Sequence, residues 1–154
     1  MRRVILLSAV VLGITAASAS FAHDVHVKFS AGEPGNPKKP ARVIKVMMRE
    51  KGKLMMFEPS TIEVRRGEQI RFVLTNDGND DHEFMLATTA ENRKHAEQMR
   101  KNPEMEHDDP NAIRLASLKS GELLWRFSKR GEFEYACLIP GHREAGMYGK
   151  VIVK

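Results

Sequence analysis

The sequence predicts an all-β sandwich carrying one short helical insertion. Three observations point there: short apolar runs that alternate with a period of two, clusters of Gly, Pro, Asn and Asp between them, and one polar stretch that opens with a helix-capping signature. A chain of 154 residues suffices for a single domain with a real core. The formal net charge is +5, and Lys and Arg are interleaved with Asp and Glu in most segments. No basic stripe alternates with aromatics, which argues against a nucleic-acid partner.

Met1-Arg2-Arg3 followed by Val4 to Ile14 has the form of a positive region and an apolar core too short to span a bilayer. Ser20-Phe21-Ala22 fits a signal-peptidase site, so residues 1–22 are expected to be a signal peptide and 23–154 a single domain, with an N-terminal strand and loop over 23–40. Cleavage after Ala22 would leave a terminal His23 with His26 nearby, a set of nitrogen donors suited to Cu(II) and a candidate second metal site. The expected product is exported and periplasmic, without membrane insertion.

Val25, Val27 and Phe29 alternate as a first strand, and Ala31 to Pro40, with three prolines and two glycines, reads as a loop. Ile44, Val46 and Met48 form one face of the next strand, which Lys51-Gly52-Lys53 ends. Phe57-Glu58-Pro59 leads into Ile62 and Val64, Arg66-Gly67 turns the chain, and Ile70, Phe72 and Leu74 form another face. After an Asn/Asp/Gly turn over 76–81, His82 opens a strand in which it shares a face with Phe84 and Leu86 and therefore points inward. Thr88-Thr89-Ala90-Glu91 resembles a capping box for a helix running to Lys101, stopped by Asn102-Pro103. His95 and Met99 lie one turn apart on that helix, with Met105 and His107 following. Together with Met47, Met48, Met55, Met56 and Met85 they form a candidate secondary soft-metal surface, although methionine is more often a filler of irregular cores. Leu123, Trp125 and Phe127 mark a further strand. Phe133, Tyr135, Cys137 and Ile139 share one face of the next, with Glu132 and Glu134 opposite, and Val151 and Val153 close the sheet.

The stretch that carries chemistry is Tyr135-Ala136-Cys137-Leu138-Ile139-Pro140-Gly141-His142-Arg143-Glu144-Ala145-Gly146-Met147. It holds the only cysteine, so no internal disulfide exists to occupy that thiol. Pro140, Gly141 and Gly146 argue against a helix, and a loop can fold thiolate, imidazole and thioether toward one point. That soft, mixed set suits copper in a trigonal His₂Cys arrangement with a weak axial Met, and His82 is the candidate for the missing histidine.

Cys-x4-His-x4-Met with one histidine far upstream resembles the cupredoxins, the type 1 copper proteins, over about Val43 to Lys154. Phe57-Glu58-Pro59, His82-Glu83-Phe84 and Cys137-Leu138-Ile139-Pro140-Gly141-His142 are most similar to the small periplasmic cupredoxins linked to copper tolerance. The resemblance implies a Greek-key strand order and one type 1 copper site held by His82, Cys137, His142 and Met147. It implies no catalytic residues. Electron-carrier cupredoxins commonly follow the upstream His with Asn or Ser, where this chain has Glu83.

Two functions compete at this point. One is a copper-binding protein for tolerance and homeostasis; the other is a soluble electron carrier serving a periplasmic reductase or oxidase. The expected partners are the copper ion and redox or copper-handling proteins, and the expected state is a monomer. A hydrolytic cysteine enzyme is disfavoured, because Cys137 and His142 are too close in sequence to resemble a pairing from separate elements.

Overall fold

The computed structural model describes residues 28–102 and 109–154. The expected signal peptide, the strand residues Val25 and Val27, the candidate donors His23 and His26, and the loop residues Met105 and His107 lie outside the described residues.

The elements in order are β1 (Glu33–Pro34), β2 (Arg42–Lys51), β3 (Leu54–Glu58), β4 (Thr61–Val64), β5 (Gln69–Asn76), β6 (His82–Ala87), α1 (Thr89–Lys101), β7 (Ala112–Leu115), β8 (Ser120–Arg126), β9 (Gly131–Ala136) and β10 (Tyr148–Val153). They form two five-stranded sheets, ordered β1-β8-β5-β2-β3 and β4-β10-β9-β6-β7. Two strand pairs are parallel, β2 with β5 and β4 with β10, and the other pairs are antiparallel. The all-β, Greek-key β-sandwich expectation holds, with α1 as the helical insertion.

The period-two pattern explains the core. Val46 and Met48 from β2, Ile70, Phe72 and Leu74 from β5, and Leu123 and Trp125 from β8 face Phe84, Leu86, Phe133, Tyr135, Val151 and Val153 of the other sheet, all nearly inaccessible to solvent. Four aromatic rings bind the layers. Phe84 stacks on Tyr135 at 5.1 Å between centroids and meets Phe57 and Phe72 at 5.9 and 5.2 Å. The Tyr135 hydroxyl stays satisfied by donating to the Pro59 carbonyl at 2.6 Å.

Three readings need amendment. The loop over Ala31 to Pro40 contains the two-residue β1, paired to Arg126 and Trp125 at the sheet edge. Leu54-Met55-Met56, left without a strand assignment between Lys53 and Phe57, begins β3 and pairs with β2 across a tight hairpin at Gly52, whose φ is +63°. Ala112–Leu115 forms the short edge strand β7, which has no alternation to announce it.

The helix begins as its capping box predicts: Thr88 accepts from the Glu91 N–H, and Glu91 accepts from the Thr88 N–H at 2.9 Å. It does more than decorate the surface. Asn92 and Met99 are buried, and Met99 packs with Met85, Ala136 and Leu138 in a second apolar cluster. That placement explains why Glu134, on the side of β9 away from the main core, is also buried. Its carboxylate is received by Asn92 of the helix at 3.2 Å and by Arg143 at 2.8 Å.

Candidate metal centre

The ligand-type side chains gather at one end of the sandwich. His82 is the first residue of β6 and Cys137 lies one residue past β9. Both are fully buried. The loop from Cys137 to Met147 is closed at its base by the Cys137 N–H donating to the Met147 carbonyl at 3.0 Å. Within it the His142 N–H reaches Ile139 O at 3.0 Å, and the Met147 N–H reaches His142 O at 3.1 Å. Gly141 and Gly146 adopt φ of +91° and +103°, which side-chain-bearing residues adopt only at a cost, so the sharp turns on either side of His142 depend on them. The loop also docks on the rest of the molecule, through the Met55 N–H donating to Ala145 O at 3.1 Å and the bidentate Arg143–Glu134 pair.

The result is a tight cluster of donors. One ligand atom from each of His82, Cys137 and His142 lies within 4.8 Å of the others. The two Nδ1 atoms face one another at 3.2 Å, and Cys137 Sγ lies 3.4 Å from His142 Nδ1. The fourth expected residue, Met147, is fully buried and near His82. His82 is inaccessible while His142 is half-buried, so the donor set reaches the surface through the His142 ring.

Electrostatics favour a cation here. Burial pushes the Cys137 thiol up to about 12, because a thiolate without a partner is poorly solvated among apolar neighbours. Burial is also the main reason that His142 titrates below its ordinary range, with the His82 ring adding to the effect. A cation offsets the first penalty directly and suits the neutral His142 imidazole that the second maintains. Two imidazoles, a shielded thiol and a thioether match the soft trigonal preference of copper.

Glu83 ties the head of β6 to the donor loop. Its backbone N–H donates to Cys137 Sγ at 3.3 Å, and its buried carboxylate accepts from the Leu138 N–H at 3.3 Å. Sequence reasoning did not single out Glu50. Its carboxylate lies 3.1 Å from His82 Nε2 and accepts from the Asp80 N–H at 2.9 Å, and that backbone bond is the main cause holding it below the usual carboxylate range. A signal was present: Glu50 continues the face of Val46 and Met48, so an acidic residue appears where an apolar one is expected. His95, by contrast, lies on α1 beside a separate pocket with Met85, Asp109 and Asn111, away from this donor set.

A two-sheet Greek-key sandwich with a His-Cys-His cluster fed by its last interstrand loop defines a cupredoxin. Residues 44–154 match the family described as copper binding proteins, plastocyanin/azurin family. The chain belongs to that family. It is 49% identical over 140 residues to the copper-resistant cuproprotein CopI of Rubrivivax gelatinosus, covering 91% of this chain and 82% of that one. To the copper-resistant cuproprotein CopI of Pseudomonas aeruginosa strain PAO1 it is 32% identical, covering 99% and 98% of the two chains. Among solved structures, auracyanin B has the same fold, with a TM-score of 0.65 at 21% identity over 80% of this chain and 96% of that one.

Proposed function

We propose that this protein serves copper resistance as an exported cupredoxin that holds one copper ion through His82, Cys137, His142 and Met147. The observation that carries the reading is the convergence of three donor atoms within 4.8 Å, in a chain whose relatives are named copper-resistant cuproproteins. Copper held there supplies a one-electron couple between Cu(I) and Cu(II). The chain's own residues do the rest. The strand β6 fixes His82, the closed loop fixes Cys137 and His142, and Met147 would add a weak thioether donor that tunes the potential. The buried surroundings exclude water from the sulfur. All four donors come from one chain, so a monomer is sufficient. The positive start and apolar core of residues 1–22 support export. No helix among the described residues is long and apolar enough to cross a membrane.

The direct test is titration of copper-free protein with Cu(II), followed by visible and paramagnetic-resonance spectra. One ion per chain and an intense visible band are expected; a colourless product would overturn the reading. Electron transfer is the second reading, favoured by the half-buried His142 ring as a contact point for a redox partner. Fast electron exchange with a single ion bound would favour that carrier role, and several ions per chain the resistance role.

Two further outcomes follow from the donor set. Because the metal-free Cys137 thiol stays protonated up to about 12, each copper ion taken up between pH 7 and 9 should release one proton from it. His142 is already neutral there, so affinity should rise about tenfold per pH unit, as a pH indicator and competition titration would show. Met147→Leu should keep the ion and raise the reduction potential, because a weak donor to Cu(II) is lost. Each tenfold loss of Cu(II) affinity relative to Cu(I) corresponds to about 59 mV for a one-electron couple. An unchanged potential would remove Met147 from the donor set.

A further inference from the structure

We propose that Glu50 is a positioning residue for the metal centre: its carboxylate accepts a hydrogen bond from the Nε2–H of His82, fixes that ring with Nδ1 toward Cys137 and His142, and favours the oxidised ion. The proposal rests on the reading of His82 as a ligand.

The geometry supports it from three sides. His82 is fully buried, and the Glu50 Oε1 atom 3.1 Å from its Nε2 is the acceptor provided for that nitrogen. An ionised carboxylate only accepts, so Nε2 must be the protonated nitrogen, and Nδ1 is left with its lone pair facing the other donors. The same Oε1 is held by the Asp80 N–H at 2.9 Å, so the carboxylate is aimed by backbone. Gly78 leaves room for the contact. A Cβ at that position would fall 2.4 Å from Glu50 Oε1 and 2.9 Å from His82 Nε2. The turn that places Gly78 and Asp80 is itself braced. Asn76 donates to Asp80 O at 2.8 Å and accepts from the Gly78 N–H at 2.9 Å, and Ser117 donates to Gly78 O at 2.8 Å.

A carboxylate on the far nitrogen makes an imidazole a stronger donor than a neutral acceptor does, and stronger nitrogen donors favour the more highly charged Cu(II). Losing such partners typically weakens metal affinity by roughly 10–100-fold. The experiment compares wild type, Glu50→Gln and Gly78→Ala as full-length copper-loaded proteins, measuring reduction potential, Cu(II) and Cu(I) affinities and the nitrogen-15 spectrum of the imidazoles in the Cu(I) form. Glu50→Gln should keep the visible band and lose about tenfold in Cu(II) affinity with Cu(I) affinity unchanged, a rise of about 59 mV. Gly78→Ala, which keeps the carboxylate and pushes it away, should shift the potential in the same direction. In wild type the His82 Nε2–H should exchange slowly with solvent. A wild-type potential in both variants overturns the proposal, as does a rapidly exchanging or absent Nε2–H. If Glu50→Gln does not fold, Gly78→Ala and the wild-type spectrum decide. A wild type that never develops the band instead defeats the ligand assignment and leaves a distinct signature from an unshifted potential.

Discussion

Cys137→Ala is expected to abolish the intense visible band of the copper-loaded protein while the copper-free chain still folds. The chain has no other thiol, and this one is fully buried within 3.4 Å of the His142 Nδ1. The sulfur-to-copper charge transfer responsible for such a band therefore has no substitute donor. The structural cost is small by comparison. The substitution removes one buried sulfur and leaves the Glu83 N–H without its acceptor, which together cost about 1–3 kcal/mol. Domains of this size typically have about 5–15 kcal/mol in hand. Circular dichroism of the copper-free variant should match wild type, and its absorption after loading with Cu(II) should be nearly flat. A retained band would show that the sulfur is not a ligand.

Phe84→Ala is expected to produce the opposite combination, a large loss of stability with the donors left in place. The Phe84 ring sits between the sheets, stacked on Tyr135 and in contact with Phe57 and Phe72, with no solvent access. Phe-to-Ala changes in such positions cost about 3–5 kcal/mol through lost transfer energy and the cavity that remains. For a chain of this length each kcal/mol lowers the melting temperature by roughly 2–4 °C. A fall of about 6–20 °C in the copper-free protein is therefore expected. The copper-free form is the right comparison, because a bound ion stabilises the native state by mass action and masks part of the loss. A shift of only a few degrees would mean that neighbouring side chains collapse into the space.

The contrast between these two substitutions follows the way the sequence could be read. His82, Phe84 and Leu86 were legible as one inward face because side chains two apart in a strand point the same way, although the other face of β6 proves to be buried as well. The donor loop was legible because a thiol, an imidazole and a thioether in one Gly- and Pro-rich stretch have few other uses. The capping box at Thr88 marked the helix start for an equally local reason. What was not legible depended on partners distant in sequence. Glu134 reads as an outward residue of β9 until α1 covers that side and Arg143 meets it. The strand β7 exists because Ile113 and Arg114 pair with Phe84 and Glu83, not because of a pattern of its own. Glu50 acquires its significance only when the turn after β5 brings Gly78 and His82 to it across the fold.

The hydrogen bond from the Cys137 amide to the Met147 carbonyl has a wider consequence. It fastens the two ends of the donor loop together, so the segment behaves as a cassette clipped to the mouths of β9 and β10. Insertions or exchanges inside that cassette can alter spacing, softness and colour without disturbing the two-sheet frame beneath. Selection can thus retune what the ion does in small steps while the expensive part of the architecture stays unchanged.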